Sequence, residues 1–492
     1  MNNTLSPDIS TQSRWLGKYA EGIIWPLWLF VVFHLGQERW LHTDSAYTLY
    51  RILNHQSLFY DRFACELIVW PGQLLTWLGA PISWVMQSLN LVLPLMAWLT
   101  WAAAAKSTHR WIMFLLFLAG GSEVFFIGYS EIGLATWAFL STLLLLDLTQ
   151  YFKATGPQKL IHQLLIAMGW IILLLSHPAS LLYAPILIGI SLATRSKSEN
   201  LVLLSIVSVF FIVKSFALPS NTYDGGLYQT LFSGSTWTQF GSLWSVDYLL
   251  HADWFFIPAT TSFAALLIGT TKPWRWISLL HFVLTIMAIV VSLLIYSQGD
   301  AHINMEKFFF PVAVISMLSI PAYLWGSQRP KFGEYRLYKL TAKQRELSQS
   351  LIGILPWFLA LSMLLGIQKH SPTYTNRKHQ LFTLVDAMPH GKMIAHYDTL
   401  SKRIFPGSLW GLPYETALAS AFKAAQGSEL VELPPTKTMK PMNSEELADW
   451  SNIQTRIGDT VFIGAPFEMP QPIAKLNRRY FRYQTKTTYQ QW

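Results

Sequence analysis

Long apolar runs, parted by short polar stretches, set the pattern of this chain. A membrane-crossing helix needs about 20 mostly apolar residues. Runs near that length fall at about 21–37, 81–104, 111–128, 131–149, 160–176, 178–194, 201–218, 255–271, 276–297, 308–326 and 351–368. They predict about eleven transmembrane helices, several short enough to be tilted or half enclosed by neighbours. Segment 66–80, ELIVWPGQLLTWLGA, is apolar too. Its Pro71-Gly72 break and the pair Trp70 and Trp77 favour a helix lying in the membrane interface over a lengthened second span. After residue 368 short apolar stretches alternate with turn residues. GKMIAHYD (391–398) reads as a strand and TALASAFKAA (416–425) as a helix. GDTVFIGAPFEMP (458–470) reads as a turn, a strand and a proline-ended loop. The expected fold is therefore mainly α: a polytopic membrane protein with about eleven transmembrane helices and a small extracytoplasmic α/β C-terminal domain. Its parts are a cytosolic tail (1–20), a transmembrane domain (21–368) with a first outer loop (38–66), and the C-terminal domain (369–492).

Charge supports this layout. Only 13% of the 492 residues are charged, against about 25% in soluble domains. An ionisable group at the bilayer centre costs roughly 2.5–3.5 kcal/mol or more, so membrane domains shed them. With the N-terminus inside, alternate loops carry Arg14, Lys18, Lys106, Arg110, Lys153, Lys159, Arg195, Lys197, Lys272, Arg275 and the cluster from Arg329 to Arg345. The opposite loops before the last span hold only Arg39, Arg51, Arg62 and Lys307. This asymmetry is what the positive-inside rule demands. It also accounts for the net charge of +9 without a nucleic-acid partner. Arg14 and Lys18 precede the first apolar run, and Gln37-Glu38-Arg39-Trp40 follows it where a small-residue cleavage site would stand. The first run is expected to be a retained anchor. Cys65 is the sole cysteine, so no intramolecular disulfide is available.

The acids and histidines sort to the outer face. The first outer loop holds His42, Asp44, Arg51, His55, Asp61, Arg62 and Glu66. From Asp44 onward, Ala46, Tyr47, Leu49, Tyr50 and Leu53 recur at helical spacing, which predicts a helix on the membrane surface with Arg51 as a surface charge. A carboxylate at that boundary can take a proton from an acceptor hydroxyl. The same carboxylate would equally serve as a helix cap. Glu131, in the short turn Tyr129-Ser130-Glu131, is a second candidate acid, or an acid favoured by a helix N-terminus. Glu123 falls within the third apolar run, where a charge is expensive unless enclosed. His177, in Ser176-His177-Pro178, is either a ligand contact or a plain turn residue. Arg62, Lys307 and His302 are candidates to hold a lipid phosphate, and Asp61 is the second-choice acid. Lys307 also reads as an ordinary snorkelling lysine, and Arg62 as a partner of Asp61 or Glu66.

The stretch HTDSAYTLYRILN followed by FYDRFACELIVWPGQLL, with an early acid in a long first outer loop, eleven or so spans and an extracytoplasmic tail, resembles the GT-C superfamily of membrane glycosyltransferases. The resemblance implies sugar transfer from a polyprenyl-phosphate-linked donor to a glycan, lipid or protein acceptor, with inversion. Asp44 maps onto the family's general base. The first loop lacks the Asp-x-Asp or Asp-Glu pair of many members, so no cofactor is required, although a divalent metal is compatible with the pattern. The implied setting is the bacterial inner membrane, with the N-terminus cytosolic and the tail periplasmic or extracellular. The lipid bilayer and the lipid-linked sugar donor are the expected partners. No phosphate-binding loop, dinucleotide fingerprint, Gly-x-Ser-x-Gly elbow, zinc-protease motif or Cys/His cluster with zinc spacing occurs. Two other functions fit the same layout: a transporter or flippase of a lipid-linked substrate, and a non-catalytic envelope assembly protein.

Overall fold

A computed structural model describes residues 9–56, 63–103, 113, 125–151, 157–177, 183–184, 187–188, 205, 209, 342–388, 391–396, 411–424, 427–433, 475–482 and 490–491. These residues are mainly α-helical. Helix α1 (Ile9–His34) leads through Leu35 into the short α2 (Gly36–Trp40). Helix α3 (Thr43–Leu53) follows, and a single 3-10 turn (Phe63–Cys65) opens α4 (Glu66–Trp77). Helices α5 (Ile82–Ala103), α6 (Glu131–Tyr151) and α7 (Pro157–Ser176) are long and largely apolar, and α8 (Ala342–Ala387) is longer still. The tail adds β1 (Gly391–His396), α9 (Leu412–Phe422), β2 (Ser428–Leu433) and the two-residue β3 (Gln490–Gln491).

The expected spans at 81–104, 131–149 and 160–176 coincide with α5, α6 and α7 within a few residues. The run at 21–37 lies in α1 and α2. Among the described residues, α5 alone is long and apolar enough to cross a membrane; the apolar helical stretches Gly22–His34, Glu131–Leu145 and Gln163–Ser176 are shorter. The runs at 255–271, 276–297 and 308–326 lie outside the described residues, as do most of 111–128, 178–194 and 201–218.

Segment 66–80 forms a helix of 12 residues, about 18 Å long and too short to span. It folds back on α5 with Ile68, Val69, Gly72 and Thr76 inward, while Leu67, Trp70, Leu74 and Trp77 stay exposed. Both α3 and α4 close with the same motif. Beyond α4, Gly79 N–H donates to Thr76 O and Ala80 N–H to Leu75 O, around Gly79 at φ +70. Beyond α3, His55 N–H donates to Ile52 O and Gln56 N–H to Arg51 O, around His55 at φ +55. Each is a Schellman closure, which needs a left-handed residue just past the helix.

The last apolar run, 351–368, continues without a break into polar residues 369–387. Helix α8 has 46 residues and a length of about 69 Å. The boundary expected at 368/369 thus falls inside a helix. Beyond it, β1 pairs in parallel with β2, Gly391 opposite Ser428, and β3 joins the other side of β1. Parallel neighbours need a crossover, and α9 supplies it between β1 and β2. The strand expected at 391–398 and the helix expected at 416–425 are both present, the helix starting four residues earlier. Segment 458–470 lies outside the described residues.

Two packed regions hold these elements. One joins α1, α5, α6, α7 and the middle of α8 around Trp25, Trp28, Phe139 and Trp170. The other joins α2–α5, Tyr129 and the start of α6, the far end of α8, α9 and residues 476–481. Helix α9 is buried on every side from Leu412 to Ser420. Its hydroxyls avoid an orphaned burial by donating back along the helix, Thr416 Oγ1 to Leu412 O at 2.9 Å and Ser420 Oγ to Thr416 O at 3.1 Å.

Candidate functional site

The site is built where α2 and α3 leave the bundle. Arg39 ties this exit to the neighbouring elements. Its Nε donates to Phe125 O at 2.8 Å, its Nη1 to Asn90 Oδ1 at 2.8 Å, and its guanidinium lies 4.9 Å from the Phe125 ring centre. Desolvation lowers its pKa to about 10, so it remains charged at neutral pH. Trp40 Nε1 donates to the same Asn90 oxygen at 2.9 Å. The 125–131 segment then comes alongside: Gly128 N–H donates to Arg39 O at 2.9 Å. A Cβ on Gly128 would sit 2.7 Å from the Trp40 indole, so this approach requires glycine.

One step further, Tyr129 N–H donates to Ser45 Oγ at 3.2 Å, and Tyr129 Oη–H donates to Glu131 Oε1 at 3.4 Å. The helix that carries Asp44 and the start of α6, which carries Glu131, are thereby joined. Asp44 lies in the first turn of α3, where the helix dipole favours a carboxylate. It is not the cap: His42 holds that position, in extended conformation and without a capping side-chain bond. Asp44 is half-buried, Glu131 and His177 are buried. Beside His177, the Ser176 carbonyl accepts a hydrogen bond from Cys65 Sγ at 3.4 Å, which joins the end of α7 to the start of α4. Arg62, Lys307, His302, Asp61 and Glu123 lie outside the described residues. No three His, Cys, Asp or Glu side chains among the described residues are grouped to hold a metal ion.

Two sequence expectations are corrected here. Helix α3 does not lie open on a surface. Ser45 through Leu53 are all buried, because α9 and residues 476–481 pack over the face that was expected to meet lipid. Tyr47 and Tyr50 meet Tyr414 edge-on at 5.1 and 5.2 Å between ring centres, and Tyr50 meets Phe481 at 5.2 Å. Arg51 is consequently not a surface charge: it is buried, and its Nη1 donates to the Tyr47 hydroxyl, one helical turn away.

The polar end of α8 completes the enclosure. Lys378 pairs with buried Glu38 of α2, and Arg377 pairs with Glu415 of α9, both partners of the latter pair being almost fully buried. Tyr374 stacks on Phe126 at 4.0 Å and meets His42 edge-on at 5.6 Å. Sequence reasoning passed over Glu38, Arg39, Asn90, Lys378 and Arg377. A signal existed for Asn90, an amide in the middle of a 22-residue apolar helix, and for the charged pair Glu38-Arg39 directly after an apolar run. No protein-family model matches this chain, and no curated protein matches it.

Proposed function

We propose that this protein is a polytopic membrane glycosyltransferase of GT-C type, using a polyprenyl-phosphate-linked sugar on the outer face of the bacterial inner membrane. The single observation behind this reading is the Ser45–Tyr129–Glu131 chain of hydrogen bonds, which joins the start of α6 at Glu131 to the helix of Asp44 at one end of an apolar helix bundle. In this reading the acceptor hydroxyl attacks the anomeric carbon as Asp44 takes its proton, and the polyprenyl phosphate departs from the opposite face. Glu131 is the second acid, and His177 contacts acceptor or phosphate. Arg62, Lys307 and His302 are the proposed phosphate contacts, with Asp61 and Glu123 as further polar residues of the site. The about eleven spans, the cytosolic N-terminus and the acceptor, a glycan, lipid or protein, belong to the same proposal.

The test is release of polyprenyl phosphate from hexosyl- and pentosyl-linked carriers by purified protein in lipid nanodiscs. Asp44→Asn is expected to lower turnover by about 10²–10⁴-fold, the range for loss of a general base, with unchanged thermal unfolding. Unchanged turnover in Asp44→Asn would remove the residue from the mechanism. The burial of α3 from Ser45 to Leu53 favours one second reading, a non-catalytic envelope assembly protein in which this helix is a buried joint. No donor cleavage by the wild-type protein, together with envelope defects on its deletion, would decide for that reading.

A further inference from the structure

Helix α5 has 22 residues and a length of about 33 Å, a match to the roughly 30 Å apolar core of a bilayer. Its first residue, Ile82, therefore marks one membrane boundary if α5 crosses, and the turn before it lies at headgroup level. The tail reaches that turn. Tyr480 Oη donates to Ala80 O at 2.8 Å, and burial raises the phenol's pKa, partly offset by Arg479 and Thr76, so it stays a donor. The Arg479 guanidinium lies against Gly79, in the space a Cβ would fill. Arg478, Arg479 and Arg482 are all exposed, and none pairs with an acid among the described residues. On either side of the Gly79-Ala80 turn, Trp77, Leu78 and Trp84 are 75%, 72% and 67% exposed.

Exposed tryptophans on either side of a turn that Arg479 and Tyr480 reach, at the end of a span-length helix, match a lipid interface, where indoles sit among acyl carbonyls and cations meet phosphates. We infer that residues 475–482, with the turn between α4 and α5, form a docking surface for the phosphate groups of anionic phospholipids. Water would leave the large indoles and Leu78 exposed, and a protein partner would have to cover both a charged and an apolar surface. The bilayer supplies both layers at the right depth. The inference rests on α5 crossing the membrane and not on sugar transfer.

The experiment uses the full chain in vesicles of phosphatidylcholine and phosphatidylglycerol. A fluorophore is placed on Leu78→Cys and, separately, on Leu95→Cys at the exposed middle of α5; buried Cys65 stays unlabelled. Nitroxide-labelled lipids then quench each site. The expected result is deep-label quenching at 95 and shallow-label quenching at 78, the latter preferring phosphatidylglycerol. That preference should fall about fivefold for each charge removed in R478Q/R479Q, and vanish in high salt. Should R478Q/R479Q misfold, K475Q/R478Q carries the same test. Quenching at 95 without quenching at 78, or a lipid preference unchanged by both variants, overturns the docking surface while leaving the span in place. Quenching at neither site overturns the span and the inference together.

Discussion

Helices α3 and α4 are neighbours in the chain, nearly equal in length and closed by the same backbone motif. They differ in what covers them. Helix α4 buries one face on α5 and leaves Leu67, Trp70 and Trp77 exposed. Helix α3 is enclosed from Ser45 to Leu53, although it carries an arginine. The difference shows that apolar spacing reveals that a helix has a face to bury and is silent on what buries it. For α3 the cover comes from residues several hundred positions later, in α9 and 476–481.

The enclosure breaks most readily at its buried ion pair. Replacing Glu415 by Ala strands Arg377 inside and should destabilise the protein by about 3–5 kcal/mol. Chemical unfolding of purified protein measures this, and hydrogen exchange should rise in residues 43–53 while α4 stays unchanged. Equal exchange in both helices would show that the tail does not cover α3. Tyr414→Ala opens a cavity between Tyr47 and Tyr50, with an expected loss of about 3 kcal/mol in the same measurement. His55→Gly sharpens the comparison in the other direction. It puts glycine at the left-handed position of α3, as Gly79 stands at that of α4, and should stabilise by about 1 kcal/mol, read as a raised Tm. Lys423→Ala removes the pair with the exposed Asp386 and the contact with Phe382; its effect should be about 0.5 kcal/mol or less.

Much of the described fold is legible in the sequence because apolar runs near span length, and short apolar stretches bounded by turn residues, stand out. Helices α5, α6 and α7, strand β1 and α9 all announce themselves this way. Helix α8 does not. Its second half contains Tyr374, Arg377 and Lys378, which look like a tail leaving the membrane; only their partners Phe126, Glu415 and Glu38 make them interior. The candidate site was legible in one respect: Asp44, early in the first outer loop, and Glu131, in a short turn, were both marked as candidate acids. Their link through Ser45 and Tyr129 was not, since the Ser45–Tyr129 bond spans 84 positions and uses a backbone N–H that no side-chain pattern encodes. Arg51 was misread because its spacing on α3 resembles that of a solvated charge, while its burial depends on α9.

Asn477 reaches back to the end of α3, its Nδ2 donating to Leu53 O at 2.9 Å and its own N–H to Asn54 Oδ1 at 2.8 Å. The Leu53 bond closes a loop of 424 residues. During synthesis, α3 leaves the ribosome long before its cover exists, at about 5–20 residues per second. At that pace the aromatic face of Tyr47 and Tyr50 waits roughly 20–85 seconds for Tyr414 and Phe481 to arrive. Throughout that interval the helix needs some temporary shelter, either a lipid surface or a chaperone. The resting place that its pattern suggests, an amphipathic helix against the membrane, is then a station on the way to the native fold.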